Sequence, residues 1–265
     1  MAIHSYSSPD VAKQEPGRRW KNPIGRWQGP VTDAQSNLSS YRRLRSAIGV
    51  IGFLLFLVPL AYSIFTRDWH ESISYYYYTP VRDFFVGALC SLGVFLVFYL
   101  GYDGLDTAIT DLAGICAIGI ALDPTHENNT RETWQNYLHP VFAAIAFVLL
   151  AVMSLQFTQK GNEPGGIKAS LERLAAAAFF RFYDYRNLPV GQQPPSRAAT
   201  REDRFYAVCA WAIVVALIAT VAVDLTNTDR YFPLIVSECI MLFFFSSSWT
   251  VKGGTLPPVR KLFPR

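Results

Sequence analysis

The apolar residues of this 265-residue chain are gathered into blocks of about twenty, the length that crosses a bilayer rather than the narrower stripe that covers a soluble core. Six blocks stand out: Ser46 to Thr66, Arg82 to Tyr102, a third from Asp103 or Thr107 to Leu122, His139 to Thr158, Phe205 to Leu225 and Pro233 to Lys252. Hydrocarbon offers no partners for backbone N–H and C=O groups, so each block is expected to be a helix. The pattern predicts an all-α polytopic membrane protein, a six-transmembrane-helix bundle. Its third member is the weakest, being short and carrying Asp111.

Charge gives an independent count, because lysine and arginine are retained on the cytoplasmic side of a membrane. Eight precede the first block, two lie between the first and second, none between the second and third, and one between the third and fourth. Eight more lie between the fourth and fifth, one between the fifth and sixth, and four in the tail. Six crossings with both termini inside put 20 of the 24 on the cytoplasmic side. Five crossings would separate the termini, and removing the third block would destroy the alternation. A multi-pass protein of the plasma membrane with cytoplasmic N- and C-termini is therefore expected. The net charge of +4 follows from this layout and implies no nucleic-acid partner.

The polar segments fill in the organisation. Residues 1–45 read as a disordered or surface-lying basic cytoplasmic tail, without periodicity in their first 40 positions and without the short apolar core and cleavage site of a signal peptide. The first block must then serve as its own insertion signal. Within the tail, RRWKNPIGRWQG mixes Arg18, Arg19, Lys21 and Arg26 with Trp20 and Trp27, a composition suited to anionic headgroups or to a protein partner. Residues 159–204 read as a cytoplasmic connector in which Ile167, Leu171, Leu174, Ala178 and Phe182 recur at helical spacing, an amphipathic helix along the inner face. A linker, LPVGQQPPS, follows, and Thr200 with Asp203 is expected to form a capping box opening the fifth helix. Residues 253–265 form a short cytoplasmic tail. Cys90, Cys116, Cys209 and Cys239 fall inside apolar blocks and suggest neither a disulfide framework nor a CxxC metal site, so no metal or cofactor is expected.

Ionisable side chains are costly in hydrocarbon, by roughly 2.5–3.5 kcal/mol at a helix centre, so their depth carries information. Asp83 opens the second block, Asp123 closes the third, His139 opens the fourth, Asp224 closes the fifth and Glu238 lies five residues into the sixth. All belong to the outer half, where His70, Glu71, His126, Arg67, Arg82 and Arg230 add loop charges. Such a mouth could hold a divalent metal between carboxylates and imidazoles, move a proton between them, or grip a phosphate with its arginines. Each group is equally explained as the wet end of a helix, except Glu238, which is deeper and has no basic neighbour on its own helix. The ligand-contacting residues expected are Ser72, Ser74, Arg82, Asp83, His139, Asp224 and Glu238.

Two further patterns concern packing. Tyr75 to Tyr78 lie where aromatic belts form, with four rings pointing in different directions. Gly114, Ala117 and Ala121 on the third block, and Gly87 and Ser91 on the second, form small-residue faces expected to press against neighbours.

The runs SISYYYYTPVRDFFVGALCSLGVFLVFYLGYD and LAGICAIGIALDPT, with His139 and SECIMLFFFSSSWTVKG, resemble a group of uncharacterised bacterial six-helix membrane proteins. More distantly the layout is similar to the DRAM/Sfk type, which implies a six-helix fold and a connection with lipids but no catalytic residue. Alkaline ceramidases and adiponectin receptors differ, since their His-x-x-x-His in a late span is missing here. No GxSxG, GxxxxGK[ST] or HExxH occurs. The expectation is an integral membrane protein whose polar outward mouth binds a lipid headgroup or a small polar ligand. The alternatives are a metal-dependent membrane lipid hydrolase using His70, His126 or His139, and a structural or assembly subunit joined to a protein partner through the basic tail and connector.

Overall fold

The computed structural model describes residues 33–101, 104–123, 135–158, 197–225 and 231–256. These residues form helices and turns, with no strand among them. In chain order they are α1 (Asp33–Thr66), a short 3-10 helix (Ile73–Tyr78), α2 (Arg82–Val97), α3 (Gly104–Leu122), α4 (Gln135–Gln156), α5 (Arg197–Leu225) and α6 (Tyr231–Gly253). The chain divides into two units, Met1–Ser40 and Tyr41–Arg265, and the packing described here lies within the second. The basic stretch at residues 18–29, the amphipathic connector helix, His126 and Arg230 lie outside the described residues.

Among the described residues, five helices are long and apolar enough to cross a membrane: Ser39–Thr66, Gly104–Leu122, Leu138–Gln156, Glu202–Ala222 and Leu234–Gly253. The third block, weakest in the sequence, is one of them. The short member is α2, whose 16 residues span about 24 Å at 1.5 Å per residue, against a hydrocarbon core of about 30 Å.

Consecutive helices from α2 to α6 pack as neighbours, and α4 also meets α6. In a membrane, contact depends on close approach of backbones rather than on hydrophobic exclusion, and small residues provide it. A Cβ added to Gly93 would lie 2.6 Å from the Gly114 carbonyl oxygen, and one added to Gly114 would lie 2.5 Å from that of Gly93. This is where α2 and α3 touch. Similarly, a Cβ on Gly49 of α1 would lie 2.6 Å from Thr250 Cγ2 of α6. The α3 face of Gly114, Ala117 and Ala121 is buried as expected. The α2 face is not: Gly87 and Ser91 are exposed, with nothing within 4 Å of a Cβ on Gly87. The helix instead turns Phe85, Leu89, Leu92, Gly93 and Leu96 inward, because Gly93 alone gives α3 the backbone approach.

Helix α6 is the hub, being the most deeply buried of these five helices. Its buried run Ser246 to Thr250 carries four hydroxyls, of which three are satisfied within the helix while Ser246 Oγ has no hydrogen-bond partner among the described residues. Ser247 donates to Phe243 O, Ser248 to Phe245 O and Thr250 to Ser246 O, each at 2.7 Å, and Ser248 Oγ also meets Ser154 Oγ of α4 at 3.0 Å. At this end of the bundle Lys252 donates to the Phe157 carbonyl at 3.0 Å, beyond the last turn of α4, where a cation offsets helix carbonyls left without intrahelical donors. Arg45 donates to Tyr99 Oη through Nε and Nη2, at 2.9 and 2.7 Å, and lies over the Tyr41, Tyr99 and Phe157 rings. The opposite end carries the candidate site.

Candidate functional site

Helix α1 stops where Arg67 takes a left-handed conformation (φ 61°) and donates its N–H to Ser63 O. The chain reverses through Asp68 to Glu71 and enters the 3-10 helix. Ser72 caps this helix: its Oγ accepts the Ser74 N–H at 3.1 Å. The 3-10 repeat of three residues per turn explains the spread of the tyrosine rings. It also sends Tyr76 inward, where the ring is fully buried and the hydroxyl bonds Ser63 Oγ, whereas Tyr78 stays exposed. The expected aromatic belt is thus incomplete, since one of its four rings is a core residue. Burial holds the Tyr76 phenol above the usual tyrosine range, against the opposing pull of its bond to Ser63.

This Ser72–Thr79 segment, here called the strap, is fastened to two helices by side chains distant in sequence. From α6, Glu238 Oε1 accepts the Ser72 hydroxyl at 2.7 Å and Oε2 accepts the Ile73 N–H at 2.6 Å. From α4, His139 Nε2 lies 2.9 Å from Ser74 Oγ, and its Nδ1 lies 2.5 Å from the Asp123 carbonyl oxygen at the end of α3. A carbonyl can only accept, so Nδ1 carries a proton, and when the ring is neutral Nε2 is the acceptor of the Ser74 hydroxyl. The bonds then run one way. The strap supplies the donors, while α4 and α6 supply the acceptors.

Four of the seven expected ligand-contacting residues, Ser72, Ser74, His139 and Glu238, therefore meet, though by bonding one another. Arg82 lies elsewhere: its guanidinium donates to Tyr77 Oη at 2.8 Å and stacks 4.5 Å above that ring, exposed to solvent. Asp83 is exposed in the first turn of α2, where a carboxylate complements the helix dipole. Asp224 lies in the last turn of α5, and its side chain is outside the described residues.

Sequence reasoning missed Ser63, Tyr76, the Ile73 N–H and the Asp123 carbonyl. The last two are backbone groups that no residue type announces. Ser63 is one hydroxyl in an apolar run, and Tyr76 differs from its neighbours only by helical phase. Two polar atoms at this end are enclosed without a hydrogen-bond partner among the described residues, Asp123 Oδ2 and His70 Nε2. The latter lies 3.3 Å from Asp68 Oδ2, and its ring meets the Tyr76 ring with centroids 5.0 Å apart. Among the described residues, no three His, Cys, Asp or Glu side chains come together as a metal ion would require.

Comparison of the chain with protein-family models, curated proteins and solved structures finds no match. The likeness to bacterial six-helix proteins and to the DRAM/Sfk type stays an expectation carried by the residues quoted for it.

Proposed function

We propose that this chain is a plasma-membrane protein of six crossings with both termini in the cytoplasm, and that its strap end, facing outward, recognises a lipid headgroup or small polar ligand. The observation that carries the recognition is Asp123 Oδ2, enclosed without a hydrogen-bond partner among the described residues, with His70 Nε2 likewise enclosed and only the Asp68 carboxylate, at 3.3 Å, near it. Buried polar groups are ordinarily paired, and leaving one unmade costs about 1–3 kcal/mol, so a ligand offering matching groups gains by entering. Exposed Arg82 adds a cation that a headgroup phosphate could meet.

Six crossings follow if α2 spans despite its length. Its short link to α3 makes the two a hairpin, and the Gly93–Gly114 approach keeps them side by side. The exposed apolar residues Phe98 and Leu100 lengthen its lipid-facing surface past Val97. Hydrophobic mismatch of a few ångströms is met by local thinning of the bilayer at modest cost. The same topology places 20 of 24 basic residues on one side.

Headgroup recognition is tested by purifying wild type and an Asp123→Asn/His70→Ala variant into nanodiscs and comparing the retained lipids by mass spectrometry. The expected result is a lipid class enriched with wild type and lost with the variant. Identical profiles would remove the reading.

A further inference from the structure

We propose that Ser74 and His139 form a nucleophile–base pair able to take an acyl group from a carboxylic ester and release it to water. The hydroxyl and Nε2 are 2.9 Å apart, within the roughly 2.6–3.2 Å that links an activated serine to its base. The ring is held by a third group, since its Nδ1–H is directed to the Asp123 carbonyl. That contact fixes the tautomer in which Nε2 is free of a proton and can receive one. His139 is buried and so fixed in place, while Ser74 is only half-buried and stays within reach of a substrate.

The remaining contacts position the serine. Its N–H is bound by Ser72 Oγ, whose own proton goes to Glu238, and Glu238 also holds the intervening Ile73 N–H. Two helices thus fix the strap at Ser72, Ile73 and Ser74 itself. Such pre-ordering matters because a displacement of about 1 Å can cost a hundredfold in rate. Ser72 and Glu238 are accordingly positioning residues.

The step balances with water as its only co-reactant. Ser74 Oγ bonds to the ester carbonyl carbon as its proton passes to His139 Nε2. The carbon–oxygen bond to the alcohol then breaks, and the alcohol departs with that proton. Water attacks the acyl-serine, giving one proton to Nε2, and the acid leaves as Ser74 Oγ recovers it. The site lies at the rim of an apolar bundle, which suits an ester with a lipid-like chain. The inference goes beyond headgroup recognition and does not depend on it.

The test treats purified full-length protein in nanodiscs with a fluorophosphonate probe and maps the modified residue by peptide mass spectrometry. An adduct on Ser74 is expected, absent in Ser74→Ala and formed about 10²–10⁴-fold more slowly in His139→Gln. Mapping in the wild type needs no variant to fold, and size-exclusion profiles check the variants. No Ser74 adduct in wild type, or equal rates in wild type and His139→Gln, would overturn the proposal. An adduct alongside unchanged lipid profiles would remove headgroup recognition and leave this inference standing.

Discussion

Glu238 and Ser72, 166 residues apart, are joined by a 2.7 Å hydrogen bond, and the same carboxylate holds the next backbone N–H at 2.6 Å. A carboxylate near the start of α6 is thereby used to close a loop that follows α1. Both bonds engage an acceptor able to carry charge, and such bonds are about twice as strong as neutral ones. Truncation to Glu238→Ala would leave the Ile73 N–H and the Ser72 hydroxyl enclosed without an acceptor. The expected loss is about 2–4 kcal/mol, from roughly 1–3 kcal/mol for each donor with partial relaxation. Glu238→Gln keeps one acceptor oxygen and should lose about half as much. Thermal unfolding in detergent, followed by size-exclusion chromatography, measures the order wild type, Gln, Ala.

Two glycines of α2 should behave oppositely. A Cβ at Gly93 meets the Gly114 backbone, which cannot withdraw like a flexible side chain, so Gly93→Ala should destabilise by about 1–3 kcal/mol. Gly87 faces open space, so Gly87→Ala should be neutral or stabilising by up to about 1 kcal/mol through helix propensity. The same unfolding assay compares them, and equal effects would mean that α2 packs through another face.

Whether α2 crosses is decided by accessibility. With six crossings, Glu71→Cys should react with an impermeant maleimide from outside intact cells, whereas Gly104→Cys, at the open start of α3, should react only after permeabilisation. Both positions are exposed on the protein, so burial cannot mimic sidedness. Reaction of both from one side would reduce the count to five.

The Tyr76 phenol gives a pH dependence with a definite sign. Burial raises its folded value above the usual one, while the unfolded phenol titrates near about 10. The stability it contributes is fully present below about pH 10 and is lost as pH rises through the folded value. Tyr76→Phe should therefore flatten the alkaline limb of the stability profile, and an unchanged limb would contradict the burial.

Helix positions were legible because bilayer length and backbone satisfaction leave few solutions, and the basic residues alternate with them. The phase of α2 was not, since Gly87, Ser91 and Gly93 all offer small surfaces and only the partner helix decides which is used. At the site, Ser72, Ser74, His139 and Glu238 could be nominated from depth and composition. Their mutual bonding could not, because two of the partners are main-chain atoms and the pairings span 65 to 166 residues. That the Arg82 guanidinium lies over the Tyr77 ring five residues earlier was not legible either.

The account rests on the strap being fastened to α6 through Ser72 and Glu238. A double-mutant cycle with Ser72→Ala, Glu238→Ala and their combination, read by thermal unfolding, isolates that bond. The prediction is a coupling energy of about 1–3 kcal/mol, with the double variant worse than Glu238→Ala only by the lost Ser72 cap on the Ser74 N–H, about 1 kcal/mol. Losses that add within about 0.5 kcal/mol would mean that the two residues do not meet.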